Sequence, residues 1–337
     1  MTWFEKLTGI EERSPEQVRS ELKLEGDCIV CPNGRHMAFG RFEVPTLGEL
    51  RERVSAAGLA GGKFRVSEVI GDVRKFHADA GNASTMFQVA SQFNLLEMTS
   101  PHVTPEDGIG IYENDPTQGP ACAIACGAGT IYRNYFVPVG ENTGQTSGHQ
   151  IDCASDLAVL LGNQDRKRWQ MKNGYLLPSD DGLRQIAATL RAADDNERDR
   201  YRASLRIGLQ WDAAVTLPGA SHRVSQAYCS ALPVAYGRQP IDQWTEFAKL
   251  ILEAAYEATF CAALLNHANG GTNRLFLTLL GGGVFGNRDQ WILDAIRRCV
   301  EIYQAYSLDV SIVSYRGSNP GIHSLVQEWN GVSRRGF

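Results

Sequence analysis

Arg274–Asn287 reads RLFLTLLGGGVFGN and runs at once into a helix-like segment, Gln290–Ala305. LFLTLL has the length and composition of a buried strand, three consecutive glycines follow it, and the segment after them is amphipathic. Strand, glycine loop and helix in that order let backbone N–H groups close around a phosphate. Glycine permits the close approach and positive φ such a loop needs. Gly281, Gly282, Gly283, Val284, Phe285, Gly286 and Asn287 are therefore candidate pyrophosphate-binding residues, the plain alternative being a strand-to-helix turn without a ligand. The loop has no Gly-Lys-Ser/Thr ending, which excludes a Walker motif, and it is set apart from the dinucleotide fingerprint as well.

The 337 residues, 43% hydrophobic and 21% charged, suffice for one large α/β domain or two ordinary ones. A net charge of -5 and a pI near 5.8 give no general attraction for nucleic acid or an anionic membrane, so neither is expected as a partner. No apolar run is long enough to cross a bilayer. Eight scattered cysteines and an N-terminus without a basic-then-apolar pattern suggest a reducing cytoplasm. Cys28 and Cys31 form a CxxC that no second pair completes, so they read as structural thiols, and neither a metal nor a cofactor is expected.

Residues 1–24 read as an exposed amphipathic helix pair with Ser14-Pro15 as a start signal. A hairpin at Asn33-Gly34 and a helix over Pro45–Ala57, capped by Thr46 with Glu49, complete an N-terminal unit, residues 1–63, packed on the domain formed by residues 64–337. Strand Phe64–Ile70 ends in Gly71-Asp72-Val73. Asp72 stands where open α/β sheets bind ligands, or else caps the next helix. The run MFQVASQFNLLEM (86–98) reads as a buried strand carrying Gln92, Asn94 and Glu97 near its end, which suggests a site or a dense polar network. The loop Ser100–Gly119 holds Glu106, Asp107, Glu113 and Asp115. A small-residue helix starting at Pro120 makes Gln118 and Gly119 a second candidate anion cradle. Residues 140–149 read as a surface loop, and about 150–205 as a helical insertion with solvated charged faces. Strands near 206–217, 224–236 and 308–315 and a helix over Trp244–Leu265 complete a three-layer α/β/α fold. Its sheet is expected to be mixed because the hairpin is antiparallel.

Four of these features, Gly71-Asp72-Val73, Ala90-Ser91-Gln92-Phe93-Asn94, Thr117-Gln118-Gly119-Pro120 and Gly281–Asn287, stand in the order found in macrodomains, the ADP-ribose-binding fold, which the chain resembles over roughly 64–150 and 206–316. The resemblance implies that Asp72 accepts the adenine amine beside the Val73 backbone, that Gln92 and Asn94 face the distal ribose, and that Gly282–Gly286 form the second phosphate loop. Two departures stand out: Ala-Ser-Gln-Phe-Asn replaces the usual Asn-Ala-Ala-Asn, and an acid-rich run replaces the glycines of the first loop. With the helical insertion, they make the chain most similar to arginine-specific macrodomain ADP-ribosylhydrolases of the MavL type. That implies an enzyme cleaving an N-glycosidic bond in ADP-ribosylated protein, with Asp107 or Asp115 serving the water and guanidine and Glu97 the ribose hydroxyls. A carboxylate can stabilise an oxocarbenium-like ribose and activate water. The alternative is a non-catalytic reader of ADP-ribose, which makes no demand on the acidic loop.

Overall fold

The computed structural model describes residues 1–333. Helices α1 (Trp3–Thr8) and α2 (Pro15–Glu21) precede a small antiparallel sheet of β1 (Lys23–Glu25), β2 (Cys28–Val30) and β3 (His36–Ala38). There follow β4 (Arg41–Glu43), α3 (Leu47–Ala56), β5 (Phe64–Ile70), α4 (Val73–Ala78) and β6 (Met86–Ala90), then α5 (Gln118–Ala125) and α6 (Gly127–Ile131). Beyond the short hairpin of β7 (Pro138–Val139) and β8 (Asn142–Thr143), the insertion comprises α7 (Ser155–Leu160), the β9 (Trp169–Lys172) and β10 (Tyr175–Pro178) hairpin, α8 (Asp180–Ala192) and α9 (Asp195–Ala203). The rest is β11 (Gly208–Ala214), β12 (Arg223–Cys229), α10 (Ile241–Ala268), β13 (Arg274–Leu277), α11 (Asp289–Tyr303), β14 (Leu308–Ser314) and α12 (Pro320–Ser333).

Seven strands form the central sheet in the order β4-β11-β12-β6-β13-β14-β5. From β12 to β5 all neighbours run parallel, while β11 is antiparallel to both β12 and β4. The sheet is thus mixed, but not because of the Asn33-Gly34 hairpin, which closes into a small sheet of its own. Successive side chains of a strand face opposite layers. On β6, Phe87 stacks on His77 of α4, and the next residue, Gln88, bonds Thr259 of α10. Helices α4, α5 and α6 pack together in one layer; α10 packs with α3, α8, α9 and α11 in the other, and α12 lies on α11 and β5. The result is the three-layer α/β/α fold expected, and β4 makes part of the N-terminal segment an edge strand of the same sheet.

Three local readings need correction. Residues 1–24 are not an exposed pair: Trp3, Phe4, Leu7 and Val18 are buried in a second apolar cluster with Ile109, Tyr112 and Tyr135. Strand β6 stops at Ala90, because Ser91–Met98 folds into a turn with Leu95 at φ +65°. Helix α5 starts at Gln118 rather than Pro120 and breaks at Cys126, after which α6 widens into a π turn over Tyr132–Phe136. Helix α12 was not anticipated. Its signal was Asn319-Pro320, since the Asn319 side chain accepts the Gly321 and Ile322 amides and proline fits a first helical turn.

Glu257, midway along α10, ties the α10 layer together. It accepts from Arg51 of α3 (2.6 Å) and Arg298 of α11 (2.5 Å) with its side chain only 3% exposed. Glu257→Ala leaves both cations without their shared anion and should cost about 3–5 kcal/mol in denaturant unfolding at neutral pH. Burial alone would raise the Glu257 pKa, but the two arginines hold it below the usual range. Its contribution is therefore complete above the unfolded-state pKa, about 4.3. It fades as pH falls through the lower native value, so the gap between wild type and a Glu257→Gln variant should close in acid.

Candidate functional site

A cleft opens over the C-terminal ends of β6 and β13, the edge where open α/β sheets bind ligands. Two backbone segments flank it. The first is the start of α5. Thr117 makes no side-chain cap, so the Gln118 and Gly119 amides, orphaned at a helix N-terminus, have no acceptor among the described residues. Gln118 pins this helix end to β6, its Oε1 accepting from Ala90 N–H and its Nε2 donating to Gln88 O. Gly119 permits the approach, because a Cβ there would lie 2.2 Å from Ala90 O.

The second segment is the glycine loop. Gly281 takes φ +71°, with Ala231 and Asn287 against it. Asn287 N–H donates to Gly281 O, and its side chain donates to Leu232 O, which closes the turn. Asn287 is thus a staple of the loop. The Gly283, Val284 and Phe285 amides donate to no acceptor among the described residues, and Gly281, Gly283, Val284 and Phe285 line the cleft. Gly282 and Gly286 do not; they pack on Ile292 and Ala235. Spacing does not separate this loop from a dinucleotide fingerprint, since Gly281, Gly283 and Gly286 fall at GxGxxG intervals. The following strand separates them, because β14 ends Ile312-Val313-Ser314 where a fingerprint carries its ribose-binding acid.

Between the two segments stands Glu97. It lines the cleft, is 2% exposed, and neither carboxyl oxygen has a hydrogen-bond partner. The turn 91–98 is built to hold it. Gln92 exchanges two hydrogen bonds with the Met98 backbone, and Asn94 accepts from Leu96 N–H and donates to Gln150. Gln92 reaches the cleft wall, yet its amide is committed to the backbone, and Asn94 is outside the wall. Both shape the turn instead of offering a polar group to a ribose. Glu97 N–H donates to the Tyr112 hydroxyl oxygen at 3.0 Å. Burial pushes the Glu97 pKa up to about 8, against the opposing charge of Arg133, 3.7 Å away.

The acidic loop divides. Asp115 lines the cleft, one oxygen accepting from Thr117 N–H. Asp107 does not reach it: its carboxylate accepts from Thr104 N–H and Oγ1, capping a single turn. Glu106 holds the Ser147 backbone and Glu113 the Trp3 amide. Half-buried Glu12, between α1 and α2, accepts from the Ile109 and Gly110 amides and from the Tyr135 hydroxyl, so the N-terminal segment anchors this loop. Asp72 caps α4 through Arg74 N–H, Val73 is buried, and neither is part of the cleft wall.

The insertion contributes what the sequence did not disclose. Asn173-Gly174 turns the β9–β10 hairpin against the 91–98 turn, with Gly174 O accepting from Phe93 N–H. Tyr175 then donates to Met98 O at 2.7 Å and packs with Tyr236 and Phe285 as an aromatic cleft wall. Tyr175→Phe keeps the ring and loses one buried bond, so thermal unfolding should report about 0.5–1.5 kcal/mol. Among the described residues, no three or more His, Cys, Asp or Glu side chains gather to hold a metal ion, and no helix is long and apolar enough to cross a membrane.

No protein-family model and no curated protein matches this chain. Solved structures that resemble it include poly(ADP-ribose) glycohydrolase from Deinococcus radiodurans in complex with ADP-ribose, 12% identical over 86% of this chain and 94% of that one, with a TM-score of 0.44. The poly(ADP-ribose) glycohydrolase from Thermomonospora curvata is 14% identical over 93% and 97%, with a TM-score of 0.46. The same glycohydrolase bound to the inhibitor ADP-HPD gives 14% over 94% and 97%, with a TM-score of 0.44. The roles assigned below rest on this chain's own residues.

Proposed function

We propose that this protein is a macrodomain-type ADP-ribosylhydrolase, that it releases ADP-ribose from modified protein side chains, and that its linkage is the N-glycosidic bond to arginine, as in hydrolases of the MavL type. The observation that carries this reading is the meeting, in one cleft, of two sets of unpaired backbone amides with a buried carboxyl that has no hydrogen-bond partner. Free amides at a helix N-terminus and a glycine loop suit a diphosphate. A diphosphate held there brings the distal ribose toward Glu97. Asp72, outside the cleft wall and with only one oxygen committed to its helix, is left for the adenine amine.

The chemistry is a displacement by water at the anomeric carbon. As the bond to the guanidine nitrogen breaks, the ribose becomes oxocarbenium-like. Glu97 in its ionised form takes a proton from the attacking water, whose oxygen bonds to the anomeric carbon. Protonated guanidine leaves neutral without needing an acid, and the Glu97 proton then returns to solvent. Asp115, half-buried on the cleft wall, would pair with the guanidinium of the bound substrate, which supports arginine over an uncharged linkage.

Release of ADP-ribose from arginine-ADP-ribosylated protein, followed chromatographically, tests the assignment. Asp115→Ala should lower the rate by about tenfold or more. Asp107→Ala should leave it within about twofold, losing only about 1 kcal/mol of stability as a cap. Retention of ADP-ribose without release by any variant would make the protein a reader. No binding at all would remove the nucleotide reading.

A further inference from the structure

Arg133 is fully buried and is not on the cleft wall, so no substrate can touch it. Its guanidinium is nonetheless fixed on three sides. Nε donates to Leu95 O at 3.1 Å, Nη2 to Thr130 Oγ1 at 3.2 Å, and the group lies 3.5 Å from the centre of the Tyr228 ring. Leu95 is the left-handed residue of the turn that carries Glu97. Nη1 has no acceptor, and the two Glu97 oxygens have no donor. Glu97 is the only acid within salt-bridge range of Arg133 among the described residues.

We infer that Arg133 is a positioning residue, which from behind the cleft holds the turn under Glu97 and supplies the charge against which that carboxyl ionises. The role rests on the hydrolase reading of the cleft, where Glu97 works as a carboxylate. A buried cation without a counter-charge is costly, and so is a buried anion alone; each makes the charged form of the other tenable. The other titratable groups around Glu97 cannot take this part. Tyr112, Tyr228, Cys122 and Cys126 are all buried, with pKa values pushed upward, so they remain neutral. Asp115, also on the cleft wall, has the same sign as an ionised Glu97. Arg133 is the one cation in the set. It lies in the π turn Tyr132–Phe136, a local geometry often retained at functional sites.

The first test needs no turnover. Full-length protein carrying carboxyl-labelled glutamate is titrated by NMR, with Glu97→Gln identifying the Glu97 resonance. Wild type should titrate near 8. Arg133→Met should move the midpoint up by at least about one unit, and Arg133→Lys, which keeps the charge, should restore it to within about half a unit. An unmoved midpoint in Arg133→Met overturns the role. The coupling is also readable without altering Arg133: its side-chain N–H resonance should follow the Glu97 midpoint in wild type and become independent of pH in Glu97→Gln. A resonance indifferent to Glu97 overturns the role even if Arg133→Met fails to fold. In turnover, kcat should rise with pH through the same midpoint and fall at least about tenfold at pH ~7 in Arg133→Met, with KM little changed. A merely structural residue would lower kcat equally at every pH. A shifted titration in a protein that releases no ADP-ribose would keep the electrostatic role and remove the hydrolase reading; release with an unmoved titration would do the reverse.

Discussion

Glu97→Gln should lower kcat for release of ADP-ribose by about 10²–10⁴-fold, the usual contribution of a general base, with ADP-ribose affinity changed by no more than a few fold. The substitution is nearly isosteric. The Glu97 oxygens bond nothing in the protein, so the amide disturbs no internal hydrogen bond, and Glu97 N–H keeps its bond to Tyr112. Near neutral pH stability should not fall, because burial keeps Glu97 largely protonated there and the amide leaves the charge around Arg133 unchanged. Single-turnover release and calorimetry on one preparation separate the two quantities. A variant retaining more than about a tenth of the wild-type rate would show that Glu97 is not the base.

Gly119→Ala acts on the other half of the cleft. The added Cβ would lie 2.2 Å from Ala90 O and 3.2 Å from Glu97 Cγ, and backbone cannot yield as a flexible side chain can. The start of α5 has to move off β6, which carries the free Gln118 and Gly119 amides out of line and breaks the Gln118 bonds to Ala90 and Gln88. Overpacking of this kind costs about 1–3 kcal/mol of stability. Loss of two amide bonds to a charged diphosphate adds about 3–6 kcal/mol in binding, a weakening of two orders of magnitude or more. Gly148→Ala is the control. Nothing lies within 4 Å of a Cβ there and Gly148 does not line the cleft, so it should fold and bind like wild type, and a comparable loss of affinity in it would remove the steric explanation.

These two residues show what the sequence could and could not disclose. The glycine loop was legible because strand, glycines and helix are local features, and local features settled most of the alternating α/β order. Gly119 was legible as a cradle, while its reason, the approach of a helix end to the carbonyl of Ala90, is a tertiary contact. The acidic loop was legible as a composition only. Of its four carboxylates Asp115 alone lines the cleft, since the directions of Glu106, Asp107 and Glu113 are set by Ser147, Thr104 and Trp3. Gln92 and Asn94 read as polar groups needing partners; those partners are the Met98 and Leu96 backbone and the Gln150 side chain.

Three residues in and behind the site are not legible as such from the sequence, although each leaves a trace there. Arg133 is a lone charge in a run of small and apolar residues, which already demands a buried partner. Tyr112 lies within the acidic loop, whose composition is dominated by carboxylates. Tyr175 follows Asn173-Gly174, a hairpin signal overlooked because the surrounding charge suggested solvated helices. In each case the function depends on what the side chain meets across the fold, which one chain segment does not reveal.

The most direct measurement is a crystal structure with ADP-ribose bound. The expected density places the diphosphate oxygens within about 2.7–3.2 Å of the amides of Gln118, Gly119 and Gly283–Phe285, with Glu97 the nearest carboxyl to the anomeric carbon. A nucleotide seated elsewhere, or one whose distal ribose points away from Glu97, would contradict the assignment.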